Sequence, residues 1–494
     1  MAACGGGAAK VALALAAPEA IRRALTDAFA GRLRDDARAR CPAAYSCRGW
    51  TEAAARPARP LVLAAAALAA AAAAPFLVLH LLLGWALVAN ALTMGLRLTA
   101  LLTRFRRGPA RPEHAGPRLA DYKKLPAVSI LVPLLREEKV ARRLLEALEA
   151  MDYPGALLDI KLVLEADDAI TRAALARAAL PRSIEVIGVP PDTLRTKPKA
   201  MNYALPFCRG EIVGVYDAED RPDPGQIRAV VRHLQAAPPE VACVQGYLDF
   251  YNAGDNWLAR CFTLEYAIWF RVVLLGVQRL GLPIPLGGTS VFFRRAVLEE
   301  LGGWDAHNVT EDADLGMRLA RFGYRCEMIA STTWEEANCR VGPWIRQRSR
   351  WLKGYAVTWA THMRRPRELW CDLGPAGFLG FQTLFLGAIT SYLALPLFWA
   401  AAIAGLGFGV PIWPTEPAAV AWAVAGSMIA GQLVTLTTAV VAARDAGRPG
   451  LVAWVAVLPL YWTLGAVAAW RAIVEVFTRP SFWHKTEHGI SGSV

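Results

Sequence analysis

The chain is poor in the features that mark nucleic-acid arms, disulfide scaffolds and zinc sites. Its 54 lysines and arginines form no basic block, so a nucleic-acid tail is not expected. Its nine cysteines are scattered, without a C-x-x-C pair or a metal-ligand spacing. That pattern favours reduced thiols facing a cytosol. The glycine-rich start lacks a basic n-region, and no signal peptide is expected.

Apolar residues, by contrast, make up 55% of the 494 positions, and mean hydropathy is +0.30. They are clustered, which points to membrane spans. The net charge of +12 is then read as juxtamembrane charge together with an anionic ligand. Pro60 to Thr103 is nearly continuous apolar sequence of 44 residues. One span needs about 20 residues, so two spans joined by a tight turn are expected. Arg56 and Arg59 precede the stretch, and Arg104, Arg106 and Arg107 follow it. Positive charge at both ends favours cytoplasmic ends. Leu373–Val410, Ala418–Ala443 and Leu451–Val476 are apolar as well. These give three spans, or four if the last tail is cytosolic.

Between the apolar regions the pattern changes. Val128–Leu134, Ile160–Leu164, Ile184–Val189 and Ile212–Tyr216 read as strands. Glu137–Met151, Thr171–Leu180 and Lys199–Phe207 read as helices. Alternating strands and helices predict βαβ units and a mostly parallel sheet. Two of the strands end in acids: Glu165, Asp167 and Asp168 after one, Asp217, Glu219 and Asp220 after the other. Open α/β sheets bind ligands at this carboxyl edge. Asp217 and Glu219, at i and i+2, suit a hard divalent cation shared with a phosphate.

Three further motifs carry chemistry. Gly287-Gly288-Thr289-Ser290 lets backbone approach a ligand closely. Thr310-Glu311-Asp312 reads as an N-cap followed by first-turn acids. An acid there that faces a pocket also serves as a general base. In Gln347-Arg348-Ser349-Arg350-Trp351, a helix places Gln347, Arg350 and Trp351 on one stripe. An amide, a guanidinium and an indole so placed suit a sugar diphosphate. The surrounding Trp and Arg residues equally suit a helix lying on a bilayer.

Taken in order, the acids after the second strand, DAED, GGTS, TED and QRSRW between membrane spans resemble the family 2 glycosyltransferases. The similarity is greatest to the processive membrane branch of cellulose, chitin and hyaluronan synthases, and it covers roughly Ala127 to Tyr355. The family's D-x-D appears here as Asp217-Ala218-Glu219. The resemblance implies a GT-A-type α/β domain, Rossmann-like with a mostly parallel sheet, flanked by transmembrane helices. It divides the chain into a leader (1–59), membrane helices (60–103), a linker (104–125), the GT-A domain (126–340), amphipathic interface helices with QRSRW (341–372), membrane helices (373–478) and a tail (479–494).

The resemblance also implies roles. Asp167 or Asp168 would hold the nucleotide, and Lys199 would approach the diphosphate. Asp217 and Glu219 would bind Mg²⁺ or Mn²⁺. Asp312 would take the acceptor proton, beside Thr310 and Glu311 as substrate-binding neighbours. Gln347 and Arg350 would hold the diphosphate, and Trp351 would stack on the acceptor sugar. The expected partners are a nucleotide sugar, UDP-glucose in the first place, a glycan or lipid-linked acceptor and membrane lipid, with no nucleic acid. The expected function is inverting, processive synthesis of a β-linked polysaccharide at a bacterial inner membrane, with the catalytic domain cytoplasmic. Its rivals are a non-processive enzyme acting on a membrane lipid and an inactive scaffold or transporter.

Overall fold

The computed structural model describes residues 24, 28–50, 58–110, 125–137, 141–177, 180–181, 183–405 and 418–482. In chain order, helix α1 (Ala30–Ala39) is followed by α2 (Ala58–Ala73) and α3 (Pro75–Arg107). The mixed body then runs β1 (Val128–Leu134), α4 (Ala141–Glu149), β2 (Leu158–Glu165), α5 (Ala169–Ala176), β3 (Ile184–Val189), α6 (Lys197–Ala204), β4 (Ile212–Val215), β5 (Arg221–Pro222), α7 (Gln226–Ala236) and β6 (Val241–Phe250). Next come α8 (Trp257–Ala267), a π-helical turn (Ile268–Val273), α9 (Leu274–Arg279), β7 (Val291–Arg294), α10 (Arg295–Glu300), α11 (Glu311–Arg321) and β8 (Arg325–Glu335). Helices α12 (Val341–His362), α13 (Pro366–Phe381), α14 (Ala388–Gly405), α15 (Ala418–Asp445) and α16 (Leu458–Thr478) complete the order.

The eight strands form one sheet in the order β3-β2-β1-β4-β7-β6-β8-β5. Strands β3, β2, β1 and β4 are parallel neighbours, as the βαβ pattern predicts. β7 enters antiparallel between β4 and β6, and β8 is parallel to β6. Side-chain alternation explains the two cores. Ile130, Leu162 and Ile212 point to one face, with Leu144 and Leu148 of α4 and Val231 of α7. Leu131, Val163 and Val213 point to the other, with Met201 and Ala204 of α6 and with α8. Each such fully buried aliphatic side chain contributes about 1.5–3 kcal/mol. The parallel register sets the ends of β2 and β4 on the same edge. The two acid clusters therefore lie along one edge, on either side of the end of β1.

The apolar stretch before the sheet splits where Pro75 removes a backbone donor. Its first piece, α2, has 16 residues, short of a bilayer crossing. Among the described residues four helical segments are long and apolar enough to cross a membrane: Pro75–Arg107, Pro366–Ala401, Trp422–Asp445 and Pro449–Thr478. One of them precedes the sheet, where two were expected, and three follow it. The residues around α1 do not hang free. Asp305 accepts hydrogen bonds from Ser46 Oγ (2.9 Å) and the Cys47 amide (2.7 Å), and Asn202 Nδ2 donates to the Ala37 carbonyl.

Candidate active site

The β4 strand ends at the acid loop. Asp217 and Glu219 both line a cavity of about 530 Å³. Asp220 turns the other way, is buried, and accepts from the Asp217 amide at 2.7 Å and from the Thr289 hydroxyl. Burial, and then the Asp217 and Glu219 charges, push its carboxyl well above the usual range. Asp220 thus ties the acid loop to the Gly287–Ser290 loop. Gln245 holds that second loop by donating to Thr289 O (2.9 Å) and accepting from Gly287 N (2.9 Å). Ser290 takes a positive φ of 53°, a conformation non-glycine residues rarely adopt.

Across the cleft stands the first turn of α11. Thr310 occupies the N-cap position, but its side chain makes no capping hydrogen bond. Helix α12 lies against it so closely at Gly354 that a methyl group there would collide with Thr310. Asp312 lines the cavity and accepts from the Ala313 amide at 2.8 Å. A Cβ on Gly288 would stand 3.2 Å from Asp312 Oδ2, so glycine keeps the approach to this carboxylate open. Burial raises the Asp312 pKa against the pull of the Ala313 amide and Lys197. Burial and the Asp312 charge raise Glu311 to about 7.

The cation among these acids is Lys197. Its Nζ lies 2.5 Å from Asp217 Oδ1 and 2.7 Å from Gly288 O. Burial opposes its charge, but Asp217, Glu311 and Asp312 outweigh that and hold its pKa above the ordinary lysine value. An ammonium seated on Asp217 shows that the position suits positive charge. The oxygen donors of Asp217 and Glu219 fit a hard divalent ion, which takes few protein ligands and completes its shell with water and phosphate. Among the described residues no three His, Cys, Asp or Glu side chains converge as a self-sufficient metal cage.

Lys199 does not reach the cleft. It is fully buried and pairs with Glu165 at 3.2 Å. The two lysines are two positions apart at the start of α6, so they point roughly 200° apart around the helix. Of the two acids after β2, Asp167 stays half-exposed and pairs with Arg195 at 2.6 Å. Asp168 is buried as the N-cap of α5, accepting from Thr171 N and Oγ1 and from Arg136 N. Burial would raise it, but these donors win and hold its pKa below the usual range.

Helix α12 brings Gln347, Arg350 and Trp351 to the cavity wall together. Gln347 Oε1 accepts from Asn338 Nδ2 at 2.9 Å, and Arg350 Nη1 approaches the Val309 carbonyl at 3.4 Å. Trp351 packs near Phe262 and Tyr266, with the Arg348 guanidinium 4.9 Å from its ring. Arg348 and Lys353 are turned inward, onto Glu265 and Glu475. These two cations of the helix therefore face other parts of the protein. The helix is wedged between the sheet domain and α16, because its cations find buried acids there.

A sequence profile described as Glycosyl transferase family group 2 matches residues 212–474, more than half of the chain. The chain belongs to this family. A probable glycosyltransferase of Bacillus subtilis (strain 168), YdaM, is 31% identical over 240 residues, covering 47% of this chain and 56% of that protein. A beta-monoglucosyldiacylglycerol synthase of Trichormus variabilis is 28% identical over 281 residues, covering 56% and 58%. A probable glucomannan 4-beta-mannosyltransferase 6 of rice, Oryza sativa subsp. japonica, is 26% identical over 274 residues, covering 53% and 48%. The chain thus spans about half the length of these relatives. Among solved structures, the mannosyltransferase PcManGT of Pyrobaculum calidifontis, in complex with GDP-Man and Mn²⁺, superposes with a TM-score of 0.53 at 20% identity. The likeness covers 80% of this chain and 98% of that one, and it shows a shared GT-A-type fold.

In this group 2 glycosyltransferase the cavity also holds Glu165 of the first acid cluster and residues that no motif marked: Lys197, Arg195, Glu335 and Glu265. Lys197 had a legible signal, since it precedes Pro198 and so opens its helix. Glu335 had one too, as the end of the strand before QRSRW. Glu265 had none, because its partners Arg348 and Tyr461 are 83 and 196 positions away.

Proposed function

We propose that this chain moves a sugar from a nucleotide sugar to the hydroxyl of a membrane lipid, with inversion at the anomeric carbon. The observation that carries this is the continuity of one cavity. The same space is lined by Asp312 and Asp217 at one end and by residues of α3, α14 and α15 at the other. A lipid can therefore reach the acids without leaving the membrane helices. The beta-monoglucosyldiacylglycerol synthases among the relatives support a lipid acceptor over a growing polysaccharide.

Asp312 is the proposed base. It accepts the proton as the acceptor oxygen forms its bond to the anomeric carbon. The bond from that carbon to the diphosphate breaks, and its electron pair leaves with the nucleoside diphosphate. One displacement inverts the centre. Lys197 takes the diphosphate role expected of Lys199, together with Arg350 and Gln347. Asp217 and Glu219 would hold Mg²⁺ or Mn²⁺, which when bound neutralises charge on the leaving diphosphate. Asp167, beside Arg195 at the rim, is the better placed of its pair for the nucleotide, and Trp351 offers its ring to the transferred or accepting sugar. Thr310 and Glu311 shape the wall around the base.

The test is to incubate the purified chain in mixed lipid micelles with UDP-glucose, other UDP-sugars and GDP-mannose, with and without Mn²⁺, and to identify products by mass spectrometry. A mono- or diglycosyl lipid is the expected product. A polymer would favour the polysaccharide reading. No turnover of any nucleotide sugar would favour an inactive scaffold.

A further inference from the structure

The cavity does not end at Trp351. It continues between α3, α14 and α15, where Asn90, Thr93, Arg97, Ser391, Gln432 and Thr435 line it. All six lie in segments able to cross a bilayer. Arg97 is the cation of this arm. Its Nη1 lies 3.5 Å from Thr435 Oγ1, and its guanidinium is 5.9 Å from the centre of the Trp462 ring. Among the described residues it forms no ion pair. The contrast lies on the same helix, two turns further on, where Arg104 grips Asp445 with both ends of its fork, at 2.8 and 2.6 Å. The nearby acid Glu265 is already taken, accepting from Arg348 and Tyr461.

A guanidinium at membrane depth is costly unless a counter-charge meets it, and such residues mark ligand paths. Its planar fork fits a phosphate. Apart from Glu265, which Arg348 already holds, the acids nearest the reaction gather at the other end, around Asp217, Glu219 and Asp312. A lipid lying along the cavity would put its chains among the helices, an anionic group at Arg97 and a hydroxyl toward Asp312. Diacylglycerol has the hydroxyl and the chains but nothing for Arg97 to hold.

Building on the lipid-acceptor reading, we infer that the acceptor carries a phosphate between its chains and the hydroxyl that is glycosylated, and that Arg97 with Thr435 holds that phosphate. Phosphatidylglycerol is the simplest lipid of this chemistry.

The test compares phosphatidylglycerol with diacylglycerol as acceptors for the purified full chain in mixed detergent micelles. Wild-type protein should show kcat/KM at least tenfold higher for phosphatidylglycerol. Arg97→Gln should bring the ratio close to one, mainly by raising KM for phosphatidylglycerol, and Arg97→Lys should keep part of the preference. Inorganic phosphate added to diacylglycerol micelles should leave the rate unchanged; stimulation would mean that a free anion, not a headgroup, occupies the arm. Equal or better use of diacylglycerol by wild-type protein would overturn the inference, as would equal loss of both activities in Arg97→Gln. Should that variant not fold, the wild-type ratio decides. Glycolipid made from diacylglycerol alone sinks the phosphate and leaves lipid transfer standing, whereas no glycolipid from any acceptor sinks both.

Discussion

Asp312 and its neighbour Glu311 share one turn of helix and one low-dielectric cleft, so their protons are not independent. A base must be ionised to accept a proton. Both carboxyls are raised, Glu311 to about 7, so transfer should be lost on acidification at a higher pH than an ordinary aspartate would give, and recover as the pH rises. Glu311→Gln removes one proton site and one like charge. The acid limb of kcat should then move down by about half a unit or more, read from kcat against pH for the two proteins. Asp312→Asn should lower transfer by about 10²–10⁴-fold while nucleotide-sugar binding, measured by calorimetry, stays close to wild type. Residual activity above a few per cent would remove Asp312 from the role of base. At this scale the sequence told which residue types belong at the site, but not which way each side chain turns. Lys199 and Lys197 sit in one short motif, and only helix phase separates the buried one from the one in the cleft. Asp167 and Asp168 are adjacent, yet one is a rim residue and the other a cap, because Thr171 offers its amide and hydroxyl to the second.

Helix α12 is the element that assembles the cleft, since it carries Gln347, Arg350 and Trp351 and touches Thr310 at Gly354. Gly354→Ala inserts a methyl where the Thr310 side chain lies. Overpacking of this kind costs about 1–3 kcal/mol. A lowered melting temperature is expected, together with a loss of transfer larger than the loss of folded protein, because Arg350 and Trp351 shift with the helix. Trp351→Ala should harm acceptor use more than hydrolysis of the nucleotide sugar, read as the ratio of transferred to released sugar; equal loss would argue against ring contact with the acceptor. The parallel strands were legible because each is a short apolar run with turn residues at its end, and the limits of β1 and β3 fall where the pattern puts them. The orientation of α12 was not legible. Its charges resemble a surface helix, and the acids that draw Arg348 and Lys353 inward lie 83 and 122 positions away.

Across the whole molecule the membrane helices, the sheet domain and the segment around α1 form one body. Asp305 is fully buried and receives Ser46 and Cys47 of that segment. Asp305→Ala would strand these donors, at about 1–3 kcal/mol. Faster proteolytic nicking between residues 40 and 50 should accompany it, with an unchanged rate in the same residues marking the contact as idle. The sequence placed this segment outside the catalytic body because nothing in a string of Ala and Arg announces a docking partner some 250 positions away. A last consequence follows from the seam between α3 and α9. Gly276 meets Ala100 there with no room for even a methyl group, and Arg279 donates to the carbonyls of Thr103 and Gly108. A joint packed this closely is expected to be stiff, so that the catalytic body turns with its anchor. When a thicker or thinner membrane makes α3 lean, the whole reaction chamber should lean with it.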